Sequence, residues 1–202
     1  MDSLVAAEQT QLHFPDCVPQ LSGEGIMLRA HTPEDLPRIV EQSQDEASQR
    51  FIPLPHPYTL QHAQGFLNDY VEPQWNENTR HEFAIDEIRD GTPLFVGNVS
   101  VWPHGNDRYE IGYVLHPEAR GRGVMPRAAH RILEWVFTEK NARVVLWRAD
   151  AHNTASRRVV EKLGFHITTP LLNWMPYRDT YVDQVQGTLT RTQFHELAKR
   201  PN

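Results

Sequence analysis

The chain has 202 residues, of which 39% are hydrophobic and 23% charged, and its formal net charge is −6. This length supports one substantial hydrophobic core but not two full domains, so we predict a single domain at residues 25–202 after an extension at residues 1–24. The acidic balance argues against a general nucleic-acid-binding protein, and no apolar run approaches the roughly 18–20 residues of a membrane span.

The amino-terminal residues and the cysteine content indicate the compartment. The chain begins without a basic segment ahead of an apolar stretch, which argues against a secretion signal. The single cysteine, Cys17, excludes an internal disulfide and a Cys-rich zinc site. No histidine pair lies four residues apart on a clear helix near a third ligand, so we predict no metal site. We expect a cytoplasmic protein.

The first half of the chain combines short helices with an antiparallel meander. Thr32 suits the cap position of a helix that follows it, and Pro33 suits the first helical position. The prolines of residues 51–58 predict a loop, and a second helix then runs from residue 59 to about residue 70. Alternating apolar residues and short turns predict strands at residues 25–30, 82–88, 94–102 and 109–115.

The second half changes its hydrophobic period. From Val124 to about Lys140, apolar residues recur at spacings of three and four, which predicts a long amphipathic helix. The remaining predicted elements are strands at residues 143–150, 165–169 and 181–189 and helices at residues 153–163 and 192–199. This order predicts a mixed α/β (α+β) sheet, in which an antiparallel meander precedes a strand-helix-strand-helix-strand segment with a parallel element.

A basic, glycine-containing segment separates the last meander strand from the long helix. Between Glu118 and Arg131 there are four arginines and one acid. Two glycines before a helix allow a ligand to approach the backbone, and the free N–H groups of the first turn attract an anion. The segment lacks Walker spacing, and Pro126 stands where a dinucleotide fingerprint needs a third glycine. A phosphate or pyrophosphate site is therefore predicted at Arg120, Gly121, Arg122, Gly123, Val124 and Met125, the alternative being a tight turn with solvated arginines.

Two segments resemble one family. Arg120-x-x-Gly123-x-Met125 is similar to the [QR]-x-x-G-x-[GA] signature of the GNAT superfamily of N-acetyltransferases. The segment from Asn153 to Phe165 resembles the N-x-x-S-x-x-x-x-x-K-x-G-F segment of the same superfamily. In their order and separation, the two look most like the branch of ribosomal-protein alanine and serine N-acetyltransferases. The likeness extends over about residues 25–190.

The resemblance implies an enzyme that uses acetyl-coenzyme A as cosubstrate. The pantetheine-pyrophosphate arm would lie against the glycine segment. Met125 departs from the Gly or Ala of the signature, and its side chain could narrow the groove. The further residues implied to contact this cosubstrate are Tyr113, Val114, Leu115, Asn153 and Ser156.

The resemblance also implies catalytic roles. A backbone N–H of Val114 or Leu115 would stabilise the oxyanion. Ser156 would protonate the leaving thiolate, although it is equally an ordinary first-turn residue beside the helix cap Asn153. Glu110 shares a strand face with Val114 and is our candidate general base, the alternative being a surface carboxylate. Weaker candidates for the base are Glu82, Asp150 and His152, and positioning of a neutral amine without a base is also compatible.

The acceptor is less specified than the cosubstrate. The resemblance suggests a protein N-terminal amine, while a polyamine, an aminoglycoside or an amino acid derivative fits equally well. The remaining alternative is a non-catalytic acetyl-coenzyme A sensor. We expect core positions for Trp102, Trp147 and Trp174 rather than an acceptor cage. We predict neither nucleic-acid nor membrane partners, and a homodimer is compatible with an extension that covers a neighbouring subunit.

Overall fold

The computed structural model describes residues 14–15 and 18–197 of the chain. The described strands form one nine-stranded sheet in the order β1-β2-β3-β4-β5-β6-β9-β7, and β8 also pairs with β9. The strands are β1 (Leu21–Gly23), β2 (Ile26–Arg29), β3 (His81–Arg89), β4 (Thr92–Pro103), β5 (Arg108–Leu115), β6 (Val144–Asp150), β7 (His166–Ile167), β8 (Leu171–Tyr177) and β9 (Thr180–Thr190). The helices are α1 (Leu36–Gln44), α2 (Glu46–Phe51), α3 (Leu60–Gly65), α4 (Glu72–Asn76), α5 (Val124–Thr138), α6 (Thr154–Lys162) and α7 (Arg191–Leu197).

The predicted mixed sheet with an antiparallel meander is confirmed. Strands β2 to β5 pair antiparallel in chain order, and β6 then pairs parallel with β5. A bulge interrupts the meander, because Ile85 faces Gly97 whereas Asp86 faces Phe95, which leaves Val96 unpaired between them. The Val96 carbonyl instead accepts a hydrogen bond from the backbone N–H of His116 at 2.9 Å. The bulge therefore fixes the segment that leaves β5.

The parallel pair β5–β6 separates halfway along its length. Pairing is limited to Arg108–Glu110 of β5 and Val144–Leu146 of β6. Beyond it, β5 continues to Leu115 and keeps its pairing with β4, while β6 continues to Asp150 and keeps its pairing with β9. The sheet is therefore split between residues 111–115 and residues 147–150.

The hydrophobic core lies on both faces of the sheet. On one face, α5 buries its apolar stripe, including Ala128, Ile132 and Val136, against the sheet, as its predicted periodicity requires. Its Trp135 packs edge-on against Phe83 of β3. The short helices α1, α3 and α4 contribute buried side chains to the same hydrophobic cluster. No described helix has the length and apolar character that crossing a membrane requires.

The structure differs from the predicted elements in four places. Residues 21–23, which we assigned to the extension, pair with β2 as an edge strand. Residues 46–51 form helix α2, which Asp45 caps by accepting from the Ser48 N–H. The predicted helix over residues 59–70 consists of α3 followed by a wider π turn at Phe66–Val71. Strand β8 was not predicted, because its apolar residues alternate poorly and it contains Pro176. Residues 1–13, Cys17 and the predicted helical residues 198 and 199 lie outside the described residues.

Candidate active site

A cavity of about 600 Å³ occupies the split between β5 and β6. Its walls are the separated parts of these two strands, the start of α6 and the helices α1 and α2. Every second residue of a strand points its N–H and C=O towards the same neighbouring strand. In residues 111–115 the amides that point towards β6 therefore have no partner on that strand. The split therefore offers backbone donors and acceptors to a bound ligand.

The backbone of the open side can be assigned at the end of β5. The Leu115 carbonyl accepts from Arg120 Nη2 at 3.1 Å, so it faces away from β4. The Val114 carbonyl faces β4, where a Cβ on Gly97 would collide with it. Because the N–H and C=O of one strand residue point the same way, Leu115 presents its amide to the split and Val114 does not.

The predicted anion-binding segment has an open backbone. Gly121 and Gly123 have φ angles of 74° and 73°, and a Cβ at either position would meet nothing within 4 Å. Gly123 begins α5 without a side-chain cap, so the N–H groups of Val124 and Met125 in the first turn have no capping oxygen. Pro126 supplies no N–H. The segment thus offers open backbone amides to an anionic group.

Only one of the arginines of this segment lies in the cavity wall. Arg120 lines the cavity and binds Asp45 at 2.7 Å and the Ser48 hydroxyl at 3.2 Å. Arg122 instead binds Glu87 at 2.6 Å, outside the cavity wall. Arg127 lies 3.6 Å from the same carboxylate. The positive potential predicted for the loop is therefore partly neutralised by Glu87 and Asp45.

Tyr113 on β5 and Ser156 on α6 meet in the cavity wall. The Tyr113 hydroxyl donates to the Ser156 backbone carbonyl at 2.8 Å, and the Ser156 hydroxyl donates to the Tyr113 oxygen at 3.1 Å. The indole N–H of Trp147 donates to the Ser156 hydroxyl at 3.0 Å. Burial raises the pKa of the Tyr113 phenol, although its hydrogen bonds with Ser156 and Trp147 oppose this shift. The phenol therefore keeps its proton near neutral pH.

Asn153 and Met125 also line the cavity. Asn153 caps α6, because its side-chain oxygen accepts from the Ser156 N–H at 3.1 Å, and this cap orients the Ser156 residue. Met125 is 3% exposed, so its side chain belongs largely to the core. The structure thus brings Tyr113, Asn153 and Ser156 together, with Met125 packed behind the glycine segment.

Glu110 lies on the predicted face of β5, but its carboxylate already binds two neighbouring side chains. Its carboxylate accepts from Arg148 at 3.0 and 2.6 Å, and His104 Nε2 lies 2.6 Å from Oε2. Among the described residues, Arg148 lines the cavity whereas Glu110 does not. The carboxylates that do line it are Glu82 and Asp150, and Asp150 accepts from the His152 N–H at 2.7 Å.

The three tryptophans occupy different environments. Trp147 is buried, as predicted, but it also contacts the hydroxyl of Ser156. Trp102 is half-buried beneath the guanidinium of Arg80, whose central carbon lies 3.9 Å from the ring centroid. Trp174 is 62% exposed on β8, so its predicted core position is wrong. The polar residues on this side of the cavity, Arg80 and Ser100, carried no sequence signal, because their proximity depends on strand register.

No group of three or more metal-ligating side chains occurs in the part of the chain that the structure describes. The site is built from hydroxyl groups, two carboxylates, guanidinium groups and free backbone amides. These groups can bind a phosphorylated ligand and move protons.

Comparison with known proteins gives consistent matches. The acetyltransferase (GNAT) domain family matches residues 26–166. The uncharacterized N-acetyltransferase YnaD of Bacillus subtilis is 27% identical over 69% of this chain and 78% of its own length. Spermidine N(1)-acetyltransferase of Escherichia coli is 24% identical over 89% of this chain and 94% of its own. The structure of Mycobacterium smegmatis RimJ in complex with CoA-disulfide has a TM-score of 0.74 at 18% identity, covering 90% of this chain and 92% of that one.

Proposed function

The chain belongs to the GNAT acetyltransferase family, and from that premise we propose that it moves the acetyl group of acetyl-coenzyme A to a primary amine by direct attack in a ternary complex. Membership makes it an acetyl-coenzyme A-dependent acyltransferase. The observation that supports the proposal best is the split between β5 and β6, because its free amides lead to the glycine segment before α5.

The cosubstrate would be held by the backbone of two segments. The amides of Val124 and Met125, with Arg120 beside them, would bind the pyrophosphate. The open amides of β5 would bind the pantetheine arm in the manner of an added strand. The acetyl carbonyl oxygen would then lie near the amide of Leu115, which is on the open side of β5, rather than that of Val114.

Ser156 and Tyr113 are the proposed proton donors for the leaving thiolate. The two hydroxyl groups are hydrogen-bonded to each other in the cavity wall. The Ser156 hydroxyl is fixed by Trp147 and by the cap of α6. The proton that this pair gives to the thiolate would be replaced by one lost from the attacking amine.

The proposed acceptor is a primary amine, with a protein N-terminal amine as the first candidate and a small-molecule amine as the second. The small-molecule candidate has support from the spermidine acetyltransferase, which matches over most of both chains. Ile52 and Leu54, in the loop after α2, line the cavity together with Met175 of β8, and the Tyr177 hydroxyl of β8 donates to the Gln49 carbonyl of α2 at 2.8 Å. These loops over the sheet are where we place acceptor specificity.

The experiment that tests the proposal is a panel of acceptors with acetyl-coenzyme A. The panel contains peptides with varied N-termini, polyamines, aminoglycosides and amino acids, and release of free thiol is followed with time. Mass spectrometry then checks that each active acceptor gains one acetyl group. Thiol release without any acetylated amine would contradict the proposal, since it would indicate hydrolysis of the thioester.

A further inference from the structure

A row of three residues crosses β3, β4 and β5 in the cavity wall. Glu82 lies opposite Ser100, and Ser100 lies opposite Gly112 at the edge of the split. Adjacent strands are separated by about 4.8 Å, so this row spans on the order of 10 Å from Glu82 to the split. A Cβ at residue 112 would lie 3.1 Å from the Trp102 ring, so the glycine leaves room for that ring. The row links a buried carboxylate to the place where the proposed chemistry occurs.

Glu82 is a buried carboxylate that forms an ion pair with Arg80, which is fixed by other contacts. Its Oε2 atom lies 3.2 Å from Arg80 Nε, and its residue exposure is 7%. Arg80 is itself fixed, because its Nη2 donates to the Ser100 hydroxyl at 2.7 Å and its guanidinium lies over Trp102. Burial raises the pKa of the Glu82 carboxyl, although Arg80 and Ser100 oppose this shift. Glu82 is therefore a stronger base than an exposed glutamate.

The cavity wall contains a further acceptor. Gln42 of α1 lines the cavity, and its buried Oε1 atom has no hydrogen-bond partner among the described residues. A buried acceptor of this kind is costly unless a ligand supplies a donor. The side-chain oxygens of Glu82 and Gln42 can accept hydrogen bonds from a ligand, and an ammonium group has three N–H donors.

The other acids near the cavity are less suited to bind an ammonium group. Glu110 is held by Arg148 and His104 outside the cavity wall. Asp150 lines the cavity, but it accepts from the backbone of His152 in the turn before α6. Glu82 is the carboxylate that combines burial with access to the cavity.

We propose that Glu82 binds the ammonium group of the acceptor and takes its proton, with Ser100 and Gln42 completing a subsite for a compact primary ammonium cation. This inference rests on the proposed acetyl transfer to a primary amine. It assigns to Glu82 the general-base role that the sequence favoured for Glu110.

The proposed transfer conserves protons and electron pairs. R–NH₃⁺ gives one proton to the Glu82 carboxylate, directly or through the Ser100 hydroxyl, and becomes R–NH₂. The nitrogen lone pair forms a bond to the acetyl carbon, and the bond between that carbon and sulfur breaks. The Tyr113–Ser156 pair gives one proton to the thiolate, and the second proton lost by nitrogen restores the proton of that pair. The products are the amide, the free thiol and a protonated Glu82, which releases its proton to water.

The test compares Glu82→Gln with Asp86→Asn. Asp86 is a matched control, because it is a buried carboxylate on the same strand, paired with Arg29 at 2.7 Å, and does not line the cavity. Two acceptors are used at pH 8: a peptide α-amine with a pKa of roughly 8 and the side-chain amine of an Nα-blocked lysine with a pKa of roughly 10.4. They also distinguish a protein N-terminus from a small alkylamine as the source of the ammonium group.

We expect Glu82→Gln to lower kcat/KM for the lysine amine by roughly 100-fold or more. The loss for the α-amine is expected to be smaller, since about half of that amine is already neutral at this pH. Asp86→Asn is expected to stay within severalfold of the unchanged protein on both. Acetyl-coenzyme A affinity and melting temperature are measured for each variant, and Glu82→Asp, which keeps the carboxylate, is expected to be intermediate.

Three results would overturn the inference. Glu82→Gln activity within twofold of the unchanged protein on both amines excludes the role of Glu82 while leaving acetyl transfer intact. Equal losses on the two amines exclude proton removal. Failure of the unchanged protein to acetylate any amine contradicts the proposed function itself, and the inference with it.

Discussion

The hydroxyl oxygens of Tyr113 and Ser156 lie 3.1 Å apart, although the two residues are 43 positions apart in the chain. Because this pair is the proposed proton donor, we expect Tyr113→Phe and Ser156→Ala each to lower kcat by roughly 100-fold. The double variant is expected to lose little more, since both hydroxyl groups serve one proton path. Thiol release at saturating acetyl-coenzyme A measures the effect. Single variants within twofold of the unchanged protein, with cosubstrate affinity retained, would show that the pair is structural.

The elements that were predicted correctly have strong local periodicity. The 3.6-residue period of α5 is set by the side chains that face the core. The alternating sequence of β3 indicated a strand, although both faces of that strand are buried over most of its length. Gly121 and Gly123 adopt left-handed conformations in the tight turn that joins a strand to a helix, and glycine does so without a steric penalty.

Relationships between distant residues could not be predicted in this way. Glu110 was correctly placed on the face of Val114, but its pairing with Arg148 depends on the parallel register of β5 and β6. The proximity of Glu82 and Ser100 depends on the register of β3 and β4. One sequence specifies the period of a strand, whereas its register also depends on turns, bulges and packing.

The glycine before α5 allows a matched test of cosubstrate binding. Gly123 and Gly91 have φ angles of 73° and 79°, and both have open space around a hypothetical Cβ. Gly91 lies in the β3–β4 turn, outside the cavity wall. Alanine at either position is expected to lower the free energy of unfolding by roughly 1–2 kcal/mol, because it must adopt the left-handed conformation.

Cosubstrate affinity is expected to separate the two glycine variants. Calorimetric titration with acetyl-coenzyme A is expected to give a higher Kd for Gly123→Ala and an unchanged Kd for Gly91→Ala. Equal dissociation constants in the two variants would remove the glycine segment from the proposed binding site.

Arg29 joins two buried acids and is expected to contribute strongly to stability. It binds Asp35 at 2.8 Å and Asp86 at 2.7 Å, and both carboxylates are almost completely buried. Arg29→Met leaves these charges without their partner, so we expect the free energy of unfolding to fall by about 3 kcal/mol. Arg157→Met removes an exposed pair with Glu161 and should cost less than about 1 kcal/mol. Urea denaturation measures the free energy of unfolding of both variants. Similar losses in the two would contradict the large contribution expected of Arg29.

His31 is expected to make the fold sensitive to acid. Burial lowers its pKa from 6.5 to about 4, Asp35 opposes this shift, and the ring packs against Phe66 and Phe95. Because the pKa is lower in the folded state, the contribution of His31 to stability is complete above pH 6.5 and is lost as the pH falls to 4, by roughly 3 kcal/mol. His31→Leu removes this titration, so its free energy of unfolding should fall less steeply between pH 7 and pH 4. Urea denaturation at several pH values measures both slopes, and parallel slopes would place the acid sensitivity in other groups.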